Sequence, residues 1–131
     1  MSQWTHVVGC IRVDGIPQFG SNTDIIKEIL GPISTYDHFI DYTPLPTGEE
    51  GSLQYSLIEY DTGACWLAIP IWGDLRGYTS EDITNELIPW WNNLMKKLDD
   101  SEQHFAYVRD AVLHVYAEGE VPIILTHKTE E

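Results

Sequence analysis

The residues best suited to metal binding or acid–base chemistry are two histidines and a cysteine. His6 and Cys10 lie in the first predicted strand, and His114 lies in a later one. Imidazole and thiolate are common zinc ligands, but structural zinc sites have regular ligand spacing. The spacing here is irregular, so we predict no metal site.

Sequence motifs for covalent catalysis and for phosphate binding are absent. No serine lies in the strand-to-helix elbow that a nucleophilic hydrolase requires. Gly15, Gly20 and Gly31 are too far apart in sequence to form a phosphate-binding loop. We therefore predict no catalytic residue and no cofactor, and we favour a binding protein over an enzyme.

The secondary structure that must position the histidines is predicted from the spacing of apolar residues, which alternate in strands and recur at three or four positions in helices. The predicted order is a strand over 4–14, a helix from 25 to 30, a hairpin of strands over 52–60 and 64–72, a helix from 80 to 98, a strand over 105–118 and an edge strand over 121–127. Ser80 is the predicted N-cap of the second helix, and Pro89 is expected to kink it.

This order predicts an α+β fold. Strand–helix–strand–strand–helix–strand is the order of a ferredoxin-like two-layer sandwich, in which two helices cover one face of an antiparallel sheet. The last strand adds an edge. We expect residues 1–131 to form one domain, with a long surface loop over 33–51 and a flexible tail over 128–131.

The hairpin register is predicted from its turn. A three-residue loop ending at Gly63 places apolar residues opposite one another on a single face. The predicted pairs are Leu57 with Leu67, Tyr55 with Ile69, and Leu53 with Ile71.

The face of the sheet that the helices leave uncovered is predicted to carry aromatic rings, histidines and an arginine. The predicted ligand or interface residues on this face are Trp4, His6, Arg12, Trp66, His114 and Tyr116. A large exposed apolar patch marks an interface, so the 33–51 loop or a second subunit in a homodimer is one expected cover. A small-molecule pocket with aromatic walls is the other interpretation.

The composition is strongly acidic. The chain of 131 residues has 21 Asp and Glu against 7 Lys and Arg, a net charge of −14. Phosphate groups would be repelled, so we predict no direct binding to nucleic acid. The residues predicted to form an acidic partner-binding surface are Glu81, Asp82, Glu86, Asp99, Asp100 and Glu102.

Acidity without a catalytic motif leads to the main functional hypothesis. Surface carboxylates can occupy a basic cleft in place of nucleic-acid phosphates. Small acidic inhibitors of nucleases and defence systems, many of them viral, share this size and charge. We therefore expect a non-catalytic inhibitor or regulator of a basic partner, encoded by a phage. The alternative is a small-molecule-binding protein or small enzyme that uses the uncovered sheet face at a homodimer interface.

Cellular location is predicted by exclusion. The first residues have neither the basic nor the apolar region of a signal peptide. No apolar run approaches the ~20 residues that span a bilayer. Two cysteines are too few for a disulfide framework. These features predict a cytoplasmic protein with no membrane contact.

Overall fold

The computed structural model describes residues 3–15, 30, 45–59, 66–100 and 106–128. Its strands are β1 (Trp4–Gly15), β2 (Gln54–Tyr55), β3 (Ile58–Glu59), β4 (Trp66–Arg76), β5 (Ala106–Ala117) and β6 (Ile123–His127). They form an antiparallel sheet in the order β2-β4-β1-β5-β6, with β3 also paired to β4. The predicted α+β class and antiparallel sheet are confirmed.

A ferredoxin-like order of elements predicts that the first and third strands are central and that the fourth lies beside the first. The structure places β1 between β4 and β5, with β6 at the edge. The first predicted helix lies outside the described residues, apart from Leu30, which is helical and buried. Apart from Leu30, the described residues contain a single helical segment, and the two-helix ferredoxin-like arrangement is not confirmed.

One face of the sheet, here called the core face, packs against the helical segment. Side chains alternate between the two faces of a strand, and the buried apolar residues of the three long strands are odd-numbered, except Val108, which lies beside the irregularity in the β1–β5 register. Alternation in the sequence predicts that seven apolar residues lie on the face covered by the helices, and all are buried: Val7, Ile11, Val13, Leu67, Ile69, Leu113 and Val115. The opposite face is called the open face below.

A continuous helical segment joins β4 to β5. It consists of an α-helical turn, α1 (Ser80–Asp82), a π-helical segment (Ile83–Leu87) and an α-helix, α2 (Ile88–Asp100). Its N-cap is Thr79 and not the predicted Ser80. The Thr79 hydroxyl accepts from the Asp82 N–H, and the Asp82 carboxylate accepts from the Thr79 N–H. This reciprocal capping box favours Thr79, because Ser80 has no acid three residues later.

The π-helical segment explains how the helix tolerates Pro89. Proline has no N–H, and its ring collides with a carbonyl oxygen one turn earlier in a regular α-helix. Here the N–H of Ile88 donates to the carbonyl of Ile83, five residues back, so the turn before the proline is wider. After it, Trp90 and Trp91 are both buried. Adjacent residues of a helix point about 100° apart, so the sequence predicts one buried and one exposed ring here, and that prediction is wrong.

The predicted hairpin register is wrong by two residues. Tyr55 pairs with Ile71 and not with Ile69, and Glu59 pairs with Leu67. A two-residue shift keeps every side chain on its predicted face. The observed register needs glycine at position 73, because a β-carbon there would lie 2.7 Å from the carbonyl oxygen of Ser52. Matching apolar residues alone could not reveal that contact.

Residues 45–51, the described part of the predicted surface loop, lie along the end of β4. Leu45 and Pro46 are buried. The Glu49 N–H donates to the carbonyl of Arg76, and the Arg76 N–H donates to the carbonyl of Glu50. This segment therefore brings two glutamates to the start of the helix. Residues 33–44 of the predicted loop and 129–131 of the predicted tail lie outside the described residues.

Candidate functional site

The centre of the open face is a row of side chains that crosses four strands. Val8 of β1 pairs with Trp72 of β4 on one side and with His114 of β5 on the other, and His114 pairs with Ile124 of β6. Residues directly opposite in antiparallel strands share a face. The row therefore runs across the sheet as Trp72, Val8, His114 and Ile124.

Much of this row is apolar and exposed. Val8 is 59% exposed and Ile124 is 62% exposed, although Val8 lies in a central strand. Trp72 and the neighbouring Val112 are also exposed. Large apolar side chains grouped on a surface mark an interaction site more often than isolated ones do.

A histidine held by two carboxylates lies next to this row. His6 Nδ1 is 2.6 Å from Oδ1 of Asp74 in β4, and His6 Nε2 is 3.3 Å from Oε2 of Glu118 after β5. The other Glu118 carboxylate oxygen accepts from the Trp4 N–H at 3.2 Å. The His6 ring also stacks on Tyr116, with ring centroids 6.2 Å apart. The cluster thus connects three strands.

The two carboxylates decide the chemistry of His6. Carboxylates only accept hydrogen bonds, so two of them favour an imidazolium with both ring nitrogens donating. The hydrogen bond to Asp74, followed by that to Glu118, raises the pKa of His6 above 6.5. A protonated ring with both nitrogens occupied cannot act as a general base.

We expect nuclear magnetic resonance titration of the His6 ring to give a pKa above 6.5. Asp74→Asn should lower this pKa, because the amide removes the strongest hydrogen-bond acceptor. The stabilisation from the cluster should be complete below pH 6.5 and should decline as the pH rises through the folded-state pKa. Asp110→Asn is a matched change on the same face, at the position of β5 that pairs with Arg12. It should leave the His6 pKa unchanged. An unshifted His6 pKa in the wild type would contradict the cluster.

The other end of the open face carries a second ion-pair group, at a β-bulge between β1 and β5. The register shifts between Arg12 and Val13. Arg12 Nε donates to one oxygen of Asp14 at 2.8 Å, and Arg109 Nε donates to the other at 3.1 Å. Two guanidinium groups therefore meet one carboxylate, and Arg12 is ion-paired as well as exposed.

The predicted open-face residues are partly brought together. His6 and Tyr116 touch, and Trp4 lies beside them through Glu118. His114 lies in the central row, while Arg12 is at the bulge. The backbone of Trp66 is in β4, but its side chain lies outside the described part of the chain.

Two groups on this face that sequence reasoning missed are Trp72 and Asp74. The predicted strand ends at Trp72. The alternation of Ile71, Gly73 and Leu75 on the core face was the signal that the strand continues to Arg76.

The predicted acidic surface is divided between the two ends of the helix. Glu81 and Glu86 are exposed near its beginning, and the Asp82 carboxylate is used in the capping box. Asp99 is 17 residues after Asp82, which corresponds to about 25 Å along the helix at 1.5 Å per residue. The side chains of Asp100 and Glu102 lie outside the described residues.

Asp99 has a role within the fold. One of its carboxylate oxygens accepts from the Val108 N–H at 3.0 Å, and the other is 2.6 Å from Nε2 of His127. The carboxylate therefore ties the end of α2 to β5 and β6, and it is only partly accessible.

A different set of carboxylates lies at one end of the molecule. The helix begins where β4 ends, β1 begins beside Arg76, and β5 ends beside Thr5. The acidic end comprises Glu49, Glu50, Asp74, Glu81, Asp82, Glu86, Glu118 and Glu120. Among the described residues, the cationic groups at this end are His6 and Arg76, and Arg76 is paired with Glu50 at 2.5 Å.

The remaining described basic residues lie towards the opposite end. They are Arg12, Lys96, Lys97, Arg109 and Lys128. There they are interspersed with carboxylates such as Asp14, Asp99 and Asp110. The charge of the described part of the chain is therefore polarised along the strands, with the excess negative charge at the acidic end.

The described residues offer little reactive chemistry beyond these ion pairs. Burial raises the pKa of the Cys10 thiol, which disfavours the reactive thiolate. No three described His, Cys, Asp or Glu side chains are grouped to hold a metal ion. The carboxylates around His6 approach opposite sides of its ring and so do not converge on one point. No described helix has the length and apolar character needed to cross a membrane.

Comparison with known proteins assigns no family. No protein-family model matches the chain, and neither curated proteins nor solved structures give a significant match.

Proposed function

We propose that this chain is a non-catalytic binding protein whose acidic end engages a basic protein partner. The observation that carries the proposal is the polarised charge. One end of the described structure has eight carboxylates, and the cationic groups described there are one ion-paired arginine and one histidine. A surface of one sign attracts and orients a partner of the opposite sign. An inhibitor or regulator of a nucleic-acid-handling or defence-type protein would use such a surface in place of phosphates.

The exposed glutamates at this end are available for intermolecular contact. Glu49 extends along Gly77, where a β-carbon would lie 2.7 Å from its carboxyl carbon, so it lies beside the start of the helix. Glu81 and Glu86 follow on the helix itself. Lys97, in the last helical turn, is about 24 Å from Glu81 at 1.5 Å per residue, beyond the Debye length of ~8 Å at physiological salt.

The absence of catalysis in this proposal is supported by the state of the polar groups. His6 has both ring nitrogens engaged, and Cys10 has a raised pKa. The direct binding of nucleic acid is disfavoured by the same negative charge that favours a basic protein.

Purification of the tagged protein from its source cells would test this proposal. We expect a basic protein to co-purify at low salt and to be released at high salt, because exposed ion contacts are screened. The triple variant Glu49→Gln, Glu81→Gln and Glu86→Gln should lose it. Asp82 is left unchanged, since its carboxylate caps the helix. Retention of a small molecule by native mass spectrometry, with no protein partner, would contradict the proposal.

The second candidate function uses the open face. The exposed apolar row containing Val8, Trp72 and Ile124 favours a ligand site or a covered interface there. In that case the chain is a small-molecule-binding protein or small enzyme, with His114 and Tyr116 as polar contacts. Trp72→Ala should then abolish binding, while the triple amide variant should retain it.

Three finer features belong to the same proposal. We propose that the helix predicted from 25 to 30 completes a ferredoxin-like sandwich, which the strand order and the buried, helical Leu30 support. A cytoplasmic location is supported by the composition and by the two cysteines. A phage origin is supported by the size and charge alone.

A further inference from the structure

The outer side of the edge strand β6 has no neighbouring strand in the described part of the chain. Among the described strands, β6 pairs only with β5. The outer side of an edge strand presents backbone N–H and C=O groups that can bind another strand. Natural edges are often protected by an internal lysine, proline or bulge. Ile123–His127 contains none of these, and its one ionisable residue, His127, is bound to Asp99.

Apolar side chains line both faces of this strand. Ile124 is 62% exposed on the open face, and Ile123 and Leu125 are half-buried on the core face. Val121, just before the strand, is 85% exposed. An adjoining strand would cover these side chains on both faces.

The ends of the strand carry opposite charges. Glu120 precedes it and Lys128 follows it, both are exposed, and neither forms an ion pair with a described residue. They are equally far, four residues, from Ile124 in the chain. Antiparallel pairing of this strand with an identical one, in the register centred on Ile124, would therefore place unlike charges together at both ends.

We propose that β6 pairs antiparallel with β6 of a second copy of this chain, so that two sheets join into one across a two-fold axis at Ile124. Each residue of the paired segment then faces the one equally far from Ile124 in the other copy, and Glu120, in the turn before β6, comes to the end of the other strand. Ile123 faces Leu125, and Glu120 faces Lys128. The isologous interface uses each contact twice.

The charges select a second copy as the occupant. A basic partner would be attracted by Glu120 but repelled by Lys128, whereas an identical strand offers an opposite charge to each of them. Pro122 has no N–H and so removes one donor from each copy. Because Pro122 faces Thr126 in this register, continuous backbone pairing is confined to residues 123–125 of both copies, and Glu120 and Lys128 meet through their side chains. The proposal does not rest on the proposed function, because Glu49, Glu81 and Glu86 lie outside the β6 edge.

Charge exchange tests the proposal by sedimentation across a range of protein concentrations. We expect the wild type to dimerise. Glu120→Lys and Lys128→Glu should each raise the dimer dissociation constant about tenfold, since each change replaces two attractive contacts by two repulsive ones. The double exchange E120K/K128E should restore the wild-type value. Glu81→Lys and Lys96→Glu, matched changes away from β6, should have little effect.

Mixing the two single variants gives the most specific readout. Each repels itself, but each complements the other, so a heterodimer should form in the mixture. A wild type that stays monomeric at every concentration would overturn the proposal. A dimer whose dissociation constant is unchanged in both single variants would also overturn it. If Trp72→Ala abolishes the dimer instead, the interface lies on the open face.

Discussion

Replacing Trp91 by alanine is expected to lower the free energy of unfolding by about 3–5 kcal/mol, the range for removing a large aromatic ring from a packed core. Trp91 is 1% exposed and lies on the helical segment, in the same buried cluster as Leu87, Leu94 and Met95. Loss of the ring leaves a cavity that the surrounding strands cannot fill. Urea unfolding followed by circular dichroism measures the change.

Trp72 provides the matched control. It is 41% exposed on the open face, so Trp72→Ala removes a similar ring from a site that is partly hydrated already. Its cost should be well below that of Trp91→Ala, about 1 kcal/mol. Equal costs for the two variants would show that the open face is as buried as the core, and the assignment of the two faces would be wrong.

Leu113→Ala is expected to have the second largest effect, a loss of about 2–5 kcal/mol in the free energy of unfolding. Leu113 is fully buried in β5, opposite Gly9 of β1. Its neighbour Val112 points to the open face and is exposed, so Val112→Ala should cost less than about 1 kcal/mol. Leu67→Ala, at an equally buried position in β4, should resemble Leu113→Ala. A larger loss at Val112 than at Leu113 would reverse the faces of β5.

Alternation along the strands is the part of the fold that the sequence predicts well. Val7, Ile11 and Val13 repeat at a period of two, and this period alone assigns their faces. The strand order followed from the order of elements. Register was less accessible, because it depends on how closely two backbones approach. Gly73 permits such an approach to Ser52, and a pattern of apolar residues contains no information about it.

The helix shows a second limit of sequence reasoning. The helical spacing of Ile83, Leu87 and Leu94 predicts that they form its buried apolar stripe, and all three are buried. The π-helical segment before Pro89 was not predicted beyond a kink, since its wider turn arises from the conflict between the proline ring and the helix. The placement of both Trp90 and Trp91 in the core depends on packing around the helix, which spacing does not report.

The candidate site was predicted in its residue types but not in its grouping. His6 was recognised, but its partners Asp74 and Glu118 come from the ends of two other strands. Acidic residues close in sequence to the second helix were grouped as one surface, although a helix separates its two ends by its full length. The acidic end became visible only when the strand register placed Glu49 and Glu118 near the start of that helix.

The affinity for the co-purified basic partner is the most direct test of the central claim that the acidic end is the binding surface. Isothermal titration should be performed with the wild type, with the variant E49Q/E81Q/E86Q and with Trp72→Ala. We predict that the triple variant binds about tenfold more weakly and with a flatter salt dependence, because exposed charges contribute about 0.2–1 kcal/mol each. Trp72→Ala and the single change Asp110→Asn at the opposite end should bind nearly as the wild type does. Unchanged affinity in the triple variant, together with loss of binding in Trp72→Ala, would contradict the account and place the binding surface on the open face.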